Sequence, residues 1–153
     1  AIDVDERFWD SIMNLNLKGL FFLSQAVAKV MREHGGGKII NVASGGAFKP
    51  ELGVGTYSIS KAGVIMATKV MAREWAEYNI RVNAIAPGSV RSRLTESMFA
   101  VAPEYEKLMV ERTPLGRIAQ PDEMVGAMIY LASDASSFMT GETMIVDGAV
   151  SLT

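Results

Sequence analysis

The chain contains two β-rich runs, KIINVA at residues 38–43 and RVNAIA at residues 81–86, with a helix-forming run between them. Gly37 precedes the first run. Pro87-Gly88 ends the second, because proline lacks a donor N–H and glycine accepts unusual dihedral angles. From about residue 56 to residue 78, apolar residues recur at helical spacing. A strand, a helix and a second strand in this order predict a right-handed crossover between two parallel strands.

Helix-forming segments flank this unit on both sides. Apolar residues at helical spacing predict a long helix over residues 5–34, which the glycines at residues 35–37 end. Asn14 and Asn16 interrupt this helix. Since asparagine competes for backbone hydrogen bonds, we expect a local kink there. On the other side, a helix is predicted over about residues 121–132, because proline suits its first turn.

A polar stretch, residues 89–120, follows the second strand and contains a weak helical segment near residues 95–112. Its place after a strand end predicts a lid over a site. With a third strand at residues 144–146, the alternating helices and strands predict an α/β fold, a parallel sheet covered by helices. Ligands of such sheets bind beyond the carboxyl ends of the strands, so Ser44 and Pro87-Gly88 should stand on one rim.

The composition excludes several kinds of function. The chain has 153 residues, a formal net charge of −2, no cysteine and a single histidine, His34. A disulfide framework, a thiolate metal site and a multi-histidine metal site are therefore excluded. The near-neutral charge gives no attraction for nucleic acid or anionic membranes. No long apolar run and no signal peptide are visible, so we expect a cytoplasmic protein without nucleic-acid or membrane partners.

Tyr57 and Lys61 form a Y-x-x-x-K pair, whose i,i+4 spacing places both side chains on one helix face. The lysine ammonium favours a phenolate, which lets a tyrosine transfer protons near neutral pH. Ser44 can hold a carbonyl or alkoxide oxygen, and Asn16, at the helix irregularity, can support an ordered water behind the lysine. The pair alone is a weak signal, but the four residues together indicate interconversion of a carbinol and a carbonyl.

At this point the sequence resembles the short-chain dehydrogenase/reductase family, from about residue 8 to residue 147. The motifs that carry the resemblance occur in the family's order along the chain. They are NLKG at residues 16–19, INVAS at 40–44, YSISKA at 57–62, RVNAIAPG at 81–88, TG at 140–141 and VDG at 146–148. The resemblance implies the C-terminal portion of a doubly wound, Rossmann-type parallel sheet in three αβα layers.

The resemblance also implies a catalytic role for four residues. Tyr57 is the general acid/base, and Lys61 favours its phenolate form. Ser44 positions the substrate oxygen, and Asn16 anchors the water of a proton relay. Hydride passes to or from the nicotinamide ring of NAD or NADP.

The same resemblance implies which residues bind this cofactor. Lys61 bonds the nicotinamide ribose, and Tyr57 also belongs to the cofactor-binding residues. Pro87 and Gly88 lie beside the ring, and a backbone amide at Val90 and a hydroxyl at Ser92 meet the carboxamide and phosphates. Threonine is frequent in the family at this last position, and serine keeps the hydroxyl.

Part of the family's cofactor site has no counterpart in this sequence. Neither the glycines at residues 35–37 nor those at 45–46 have the G-x-x-x-G-x-G spacing of a dinucleotide turn. We therefore expect residues 1–153 to form a single partial Rossmann-type domain, the catalytic half of a larger enzyme or a truncated relative. The family's selection between NAD and NADP depends on residues of that part, so this sequence does not predict which of the two is used. If the chain were complete, its first strand would be an exposed edge.

The expected substrate is a small secondary alcohol or ketone of the sugar-acid, polyol or 3-oxoacyl type. Side chains in and near the polar stretch predict a partly apolar, adaptable pocket for it: Phe48, Leu94, Met98, Phe99 and Met109. These residues do not separate a sugar acid from an acyl chain.

Two other functions explain less of the pattern. An inactive truncated fragment would keep its helices only for subunit assembly. In the family two long helices pair between subunits, which implies a homo-oligomer, a dimer or a tetramer. A serine hydrolase would need G-x-S-x-G, whereas Val42 occupies the first glycine position and His34 precedes Ser44.

Overall fold

The computed structural model describes residues 1–50 and 52–153. Within those residues it has six α-helices and three strands, in the predicted alternation. The helices are α1 Glu6–Met13, α2 Leu20–Glu33, α3 Gly55–Trp75, α4 Arg93–Val101, α5 Pro103–Glu111 and α6 Val125–Ala132. The strands are β1 Gly37–Val42, β2 Ile80–Pro87 and β3 Thr143–Val146.

The three strands form one parallel sheet in the order β1-β2-β3. The β1–β2 register runs from Gly37 opposite Ile80 to Val42 opposite Ile85. The middle strand is almost entirely buried, as expected for a parallel strand covered on both faces. The predicted α/β class with a parallel, helix-flanked sheet is therefore confirmed. The described part of β1 lies at a sheet edge, where Val42 is 48% exposed.

Alternate side chains of β2 serve the two faces of the sheet. Ile80 and Val82 pack on one face with Ala67 and Met71 of α3 and with Ala28 of α2. On the other face Arg81 and Asn83 bind carbonyl oxygens of the segment that follows α6, including that of Met139 at 3.0 and 2.9 Å. The sheet is thus sandwiched between two helical layers.

The irregularity expected at Asn14 and Asn16 is a π-helix, Asn14–Gly19, between α1 and α2. π-Helical turns are rare and occur frequently at functional sites. The predicted long helix is therefore two α-helices joined by this turn, and Asn16 lies inside it.

Two differences from the predicted helices occur at prolines. The segment expected near residues 95–112 is divided into α4 and α5, because Pro103 lacks an N–H and holds Ala102 at φ −137° and ψ 78°, outside the helical region. The helix expected from Pro121 begins as a 3-10 turn, Pro121–Met124, before α6. Among the helices that the structure describes, none has the length and apolar character needed to cross a bilayer.

Candidate active site

A cavity of about 150 Å³ opens at the carboxyl ends of β1 and β2. Ser44, Tyr57, Pro87 and Gly88 all line it. Pro87 ends β2, and Tyr57 is in the first turn of α3. The structure therefore brings these four residues together at one rim of the sheet. The volume is below the roughly 300–1,000 Å³ of a drug-sized ligand pocket and suits the reacting part of a small molecule.

Ser44 is the N-cap of a short 3-10 helix, Gly45–Ala47. Its Oγ accepts a hydrogen bond of 3.2 Å from the N–H of Gly46. This contact leaves the hydroxyl hydrogen free, since a hydroxyl donates one bond and accepts two. Ser44 can therefore donate to a substrate oxygen in the cavity.

Tyr57 and Lys61 lie one helical turn apart on α3, and Lys61 Nζ is 5.7 Å from the centre of the Tyr57 ring. Nζ donates to the carbonyl oxygen of Val42 at 2.9 Å, which ties α3 to the end of β1. Burial lowers the pKa of Lys61 from its ordinary value of 10.5. Two ammonium N–H groups remain for other partners, and the Tyr57 side chain is accessible, with 36% of the residue exposed.

Asn16 reaches this pair through one serine. Its Nδ2 donates to Oγ of Ser60 at 3.0 Å, and that hydroxyl donates to the carbonyl oxygen of Tyr57 at 2.7 Å. Ser60 is fully buried. The π-helix is thereby joined to the turn of α3 that carries Tyr57 and Lys61. Sequence reasoning assigned Ser60 no role of its own within the YSISKA motif, because its contacts depend on the packing of two helices.

The residues expected near a nicotinamide lie along the chain that leaves β2. A Cβ added at Gly88 would come 2.8 Å from Cα of Asp147, so the backbone approach there requires glycine. Val90 pairs with Ala119 in an isolated parallel bridge. The hydrogen bonds of this bridge join Ala119 to Ser89 and Arg91, the two neighbours of Val90. Within the described residues the N–H of Val90 itself has no acceptor, which fits a carbonyl oxygen of a ligand.

Ser92 has a structural use in the fold. Its hydroxyl accepts a 3.2 Å hydrogen bond from the N–H of Thr95, in a capping box that starts α4. The same hydroxyl lies 3.2 Å from Oγ1 of Thr95, so the two side chains are also paired with each other. The proposed contact of Ser92 with a cofactor stays a prediction.

The turn after β3 completes the cavity. Asp147 accepts hydrogen bonds from the N–H groups of Ala149 at 2.9 Å and Ser151 at 2.8 Å, and Val150 and Ser151 line the cavity. Burial acts to raise the pKa of Asp147, but the hydrogen bonds from Ser151 and Ala149 outweigh it and lower that pKa below 3.8. The ionised carboxylate therefore fixes the turn.

The predicted apolar pocket is wrong in part. Met109 lines the cavity with Tyr57, as expected, but Phe99 is buried against Met109 and Ile118. Leu94 and Met98 line a separate groove between α4 and α5. Phe48 is 45% exposed. The reason is the break at residue 103, which folds the polar stretch into two helices with their own apolar contacts.

Sequence reasoning missed several other residues that line the cavity, among them Lys49 and Tyr105. Lys49 belongs to the loop between β1 and α3, where no periodicity shows which way a side chain points. Tyr105 lies in α5, whose position depends on the break before Pro103. A lysine or tyrosine at such positions carries no signal that separates it from an ordinary surface residue.

Comparison with known proteins gives concordant results. The family model described as "Enoyl-(Acyl carrier protein) reductase" matches residues 1–151. The chain is 44% identical over 149 residues to 2-dehydro-3-deoxy-D-gluconate 5-dehydrogenase of Escherichia coli (strain K12), which covers 97% of the chain and 58% of that relative.

Solved structures agree. The gluconate 5-dehydrogenase of Burkholderia cenocepacia J2315, in complex with NADP and tartrate, is 37% identical with a TM-score of 0.93, over 99% of this chain and 59% of that one. A short-chain type dehydrogenase/reductase of Mycobacterium marinum is 38% identical with a TM-score of 0.91, over 97% and 58%. The chain thus spans less than two thirds of the length of these relatives. It belongs to the short-chain dehydrogenase/reductase family.

Proposed function

We propose that the protein is an NAD(P)-dependent oxidoreductase that interconverts a secondary alcohol and a ketone. The observation that carries the proposal is the cavity in which Ser44 and Tyr57 stand together, with Lys61 beside the tyrosine ring. The names of the relatives support it, since the Escherichia coli and Burkholderia cenocepacia proteins are both dehydrogenases. Sugar acids, polyols and 3-oxoacyl compounds are the candidate substrates.

The chain's own residues perform the proton chemistry in this proposal. In the reductive direction, Ser44 donates a hydrogen bond to the carbonyl oxygen, and Tyr57 transfers its hydroxyl proton to that oxygen as negative charge develops on it. In the oxidative direction, the Tyr57 phenolate takes the proton from the alcohol. The Lys61 ammonium stabilises the phenolate in both directions.

A bound nicotinamide supplies or accepts the hydride. Four residues on the chain leaving β2 are proposed to hold it together with Tyr57 and Lys61: Pro87, Gly88, Val90 and Ser92. The unbonded N–H of Val90 and the free N–H groups of Lys61 fit such a ligand, which presents a carboxamide oxygen and ribose hydroxyls. NADP in the Burkholderia cenocepacia structure supports this class of cofactor.

Asn16 is proposed to serve proton resupply. Its position in the π-helix and its bond to Ser60 place it beside the turn that carries Lys61. A water held there would pass a proton through Lys61 toward Tyr57.

The test is turnover of NADH and NADPH by the protein expressed from its complete gene. Ketones of the sugar-acid, polyol and 3-oxoacyl types are supplied, and absorbance at 340 nm is followed. We expect oxidation of one cofactor with at least one substrate class and a loss of about 10²–10⁴-fold in kcat for Tyr57→Phe. No turnover with any substrate, or equal rates for Tyr57→Phe, contradicts the proposal. The first result would favour a role in subunit assembly.

A further inference from the structure

We propose that Lys49 binds the carboxylate of the substrate, so that the enzyme acts on hydroxy and oxo acids rather than on neutral polyols or apolar acyl chains. This assignment rests on the proposed function, because it concerns the cavity in which that reaction would occur. It also names a residue that the sequence motifs do not contain.

Lys49 is held close to the catalytic serine by the backbone. Ser44 caps the turn Gly45–Ala47, and the N–H of Lys49 donates to the carbonyl oxygen of Gly45 at 3.3 Å. Lys49 therefore leaves the same turn that positions Ser44. Both side chains line the cavity that also contains Tyr57.

The ammonium of Lys49 has capacity for a ligand. Nζ contacts the carbonyl oxygen of Thr153 and lies 3.4 Å from its hydroxyl. These two contacts use at most two of the three N–H donors of an ammonium group. At least one donor remains for a carboxylate oxygen, in a charge-assisted hydrogen bond.

The charged side chain that lines the cavity directly is a cation. Among the described residues that line it, Lys49 is the one with a charged side chain, and Lys61 adds a second ammonium near the Tyr57 ring. The remaining described lining is neutral and mixed, with the hydroxyls of Ser89, Tyr105 and Ser151 beside apolar side chains such as Val54, Met109 and Val150. The Asp147 carboxylate lies behind the wall at Gly45 and is held by the N–H groups of Ala149 and Ser151. The remaining N–H of the Lys49 ammonium therefore favours an anion, whereas an acyl chain gives it no partner.

The size of the cavity sets the geometry of the substrate. Lys49 and the Ser44–Tyr57 pair line the same cavity of about 150 Å³. A carboxylate at Lys49 and a carbinol at Tyr57 can therefore belong to the same short carbon skeleton. This is the arrangement of a hydroxy acid.

The experiment compares paired alcohols that differ in the acid group. Gluconate and sorbitol share six carbons, glycerate and glycerol share three, and 3-hydroxybutyrate is paired with 2-butanol. KM and kcat are measured with NAD and NADP for the wild-type protein and for Lys49→Gln, Lys49→Arg and Lys69→Gln. Lys69 is an exposed lysine of α3 outside the cavity and controls for a general change of charge.

We expect an acid to be the preferred member of at least one pair. Lys49→Gln should raise KM for that acid about 10- to 100-fold, as loss of one charged hydrogen bond predicts, and change KM for its neutral partner by less than about twofold. Lys49→Arg should restore most of the loss, and Lys69→Gln should have no effect. Added salt should raise KM for the acid more than for the neutral alcohol.

Two results overturn the assignment, and they differ. Turnover of neutral alcohols in preference to acids, or an equal effect of Lys49→Gln on both members of a pair, removes the role of Lys49 and leaves the proposed function intact. Absence of turnover with every pair and either cofactor removes the proposed function, and the assignment falls with it.

Discussion

Tyr57 and Lys61 work as a unit because one turn of α3 separates them and because the lysine is tied to β1 through the carbonyl oxygen of Val42. Their i,i+4 spacing is a local property, so sequence alone predicts that they share a helix face. Ser44 could be predicted to join them because it follows a strand whose carboxyl end lies at the same rim. Lys49 could not be predicted, because its direction depends on the turn after Ser44.

Removal of the Lys61 charge should separate catalysis from folding. Lys61→Met should lower kcat about 10²–10⁴-fold, since the phenolate of Tyr57 loses its neighbouring cation. The measurement is NAD(P)H turnover, with Lys69→Met as the matched control on the same helix. Turnover within threefold of wild type would contradict the role given to Lys61.

The difference in unfolding free energy between wild type and Lys61→Met should depend on pH. Burial lowers the pKa of Lys61, so the unfolded chain retains this proton up to the ordinary value of 10.5 while the folded chain loses it at lower pH. Stability therefore rises with pH across the interval between these two values. Urea unfolding at pH 7 and pH 10 should show wild type gaining stability relative to Lys61→Met. A constant difference would show that burial does not penalise the charge.

Elements of this fold could be predicted to different degrees. The strands and α3 follow from β-rich runs and helical periodicity with glycine or proline at their ends, and their observed bounds differ by a few residues. The break at Pro103 that divides α4 from α5 escaped prediction, because the helical signal continues weakly through it. The contacts that then separate Phe99 from Leu94 are tertiary, and periodicity contains no information about them.

Besides the bond from Lys61 to Val42, a buried hydrogen-bond pair attaches α3 to β1. Asn41 Nδ2 donates to Oγ1 of Thr68 at 2.9 Å, and that hydroxyl donates to the carbonyl oxygen of Val64 at 2.8 Å. Thr68→Val keeps the shape but leaves the Asn41 amide without this acceptor, which should cost about 1–3 kcal/mol. Thr68→Ser retains the hydroxyl and should cost less. Urea unfolding measures both, and equal stability of wild type and Thr68→Val would contradict this reading.

The 3-10 turn before α6 should contribute acid sensitivity. Glu123 accepts bidentate hydrogen bonds of 2.6 Å from Arg117 and a further one of 2.8 Å from the N–H of Gln120. The bonds from Arg117, and next that from Gln120, lower the pKa of Glu123 from 4.5 to about 2. Its contribution to stability is therefore present above about pH 4.5 and is lost as the pH falls toward 2.

Glu123→Gln tests this contribution. The Tm difference between wild type and the variant should be largest above pH 5, shrink on acidification and fall with added salt, since the pair is at the surface. Glu77→Gln, an exposed glutamate elsewhere, serves as control. A Tm difference that grows as the pH falls would contradict the assignment.

At the scale of the whole molecule, α2 presents an apolar face to solvent. Phe22 is 55% exposed, Leu23 67% and Val30 58%. Several large apolar side chains exposed on one helix are typical of a protein interface. We therefore keep the prediction of a homo-oligomer, a dimer or a tetramer, that buries this face.

Leu23→Glu should shift the protein toward the monomer in size-exclusion chromatography with light scattering, because the charge would be buried at the interface. Leu115→Glu is the matched control, since Leu115 has the same exposed fraction of 67% in a loop. A wild-type protein that is monomeric at micromolar concentration would contradict the prediction.

The central claim is hydride transfer from a nicotinamide to a ketone with Tyr57 as the proton donor. Its most direct test uses reduced cofactor deuterated at C4 of the nicotinamide and mass spectrometry of the alcohol formed. We predict one deuterium on the carbinol carbon with the wild-type protein and about 10²–10⁴-fold slower formation of the same product with Tyr57→Phe. Two results would contradict the account. One is an alcohol that contains no deuterium, whichever face of the nicotinamide C4 carries the label. The other is formation of the alcohol at an equal rate with Tyr57→Phe.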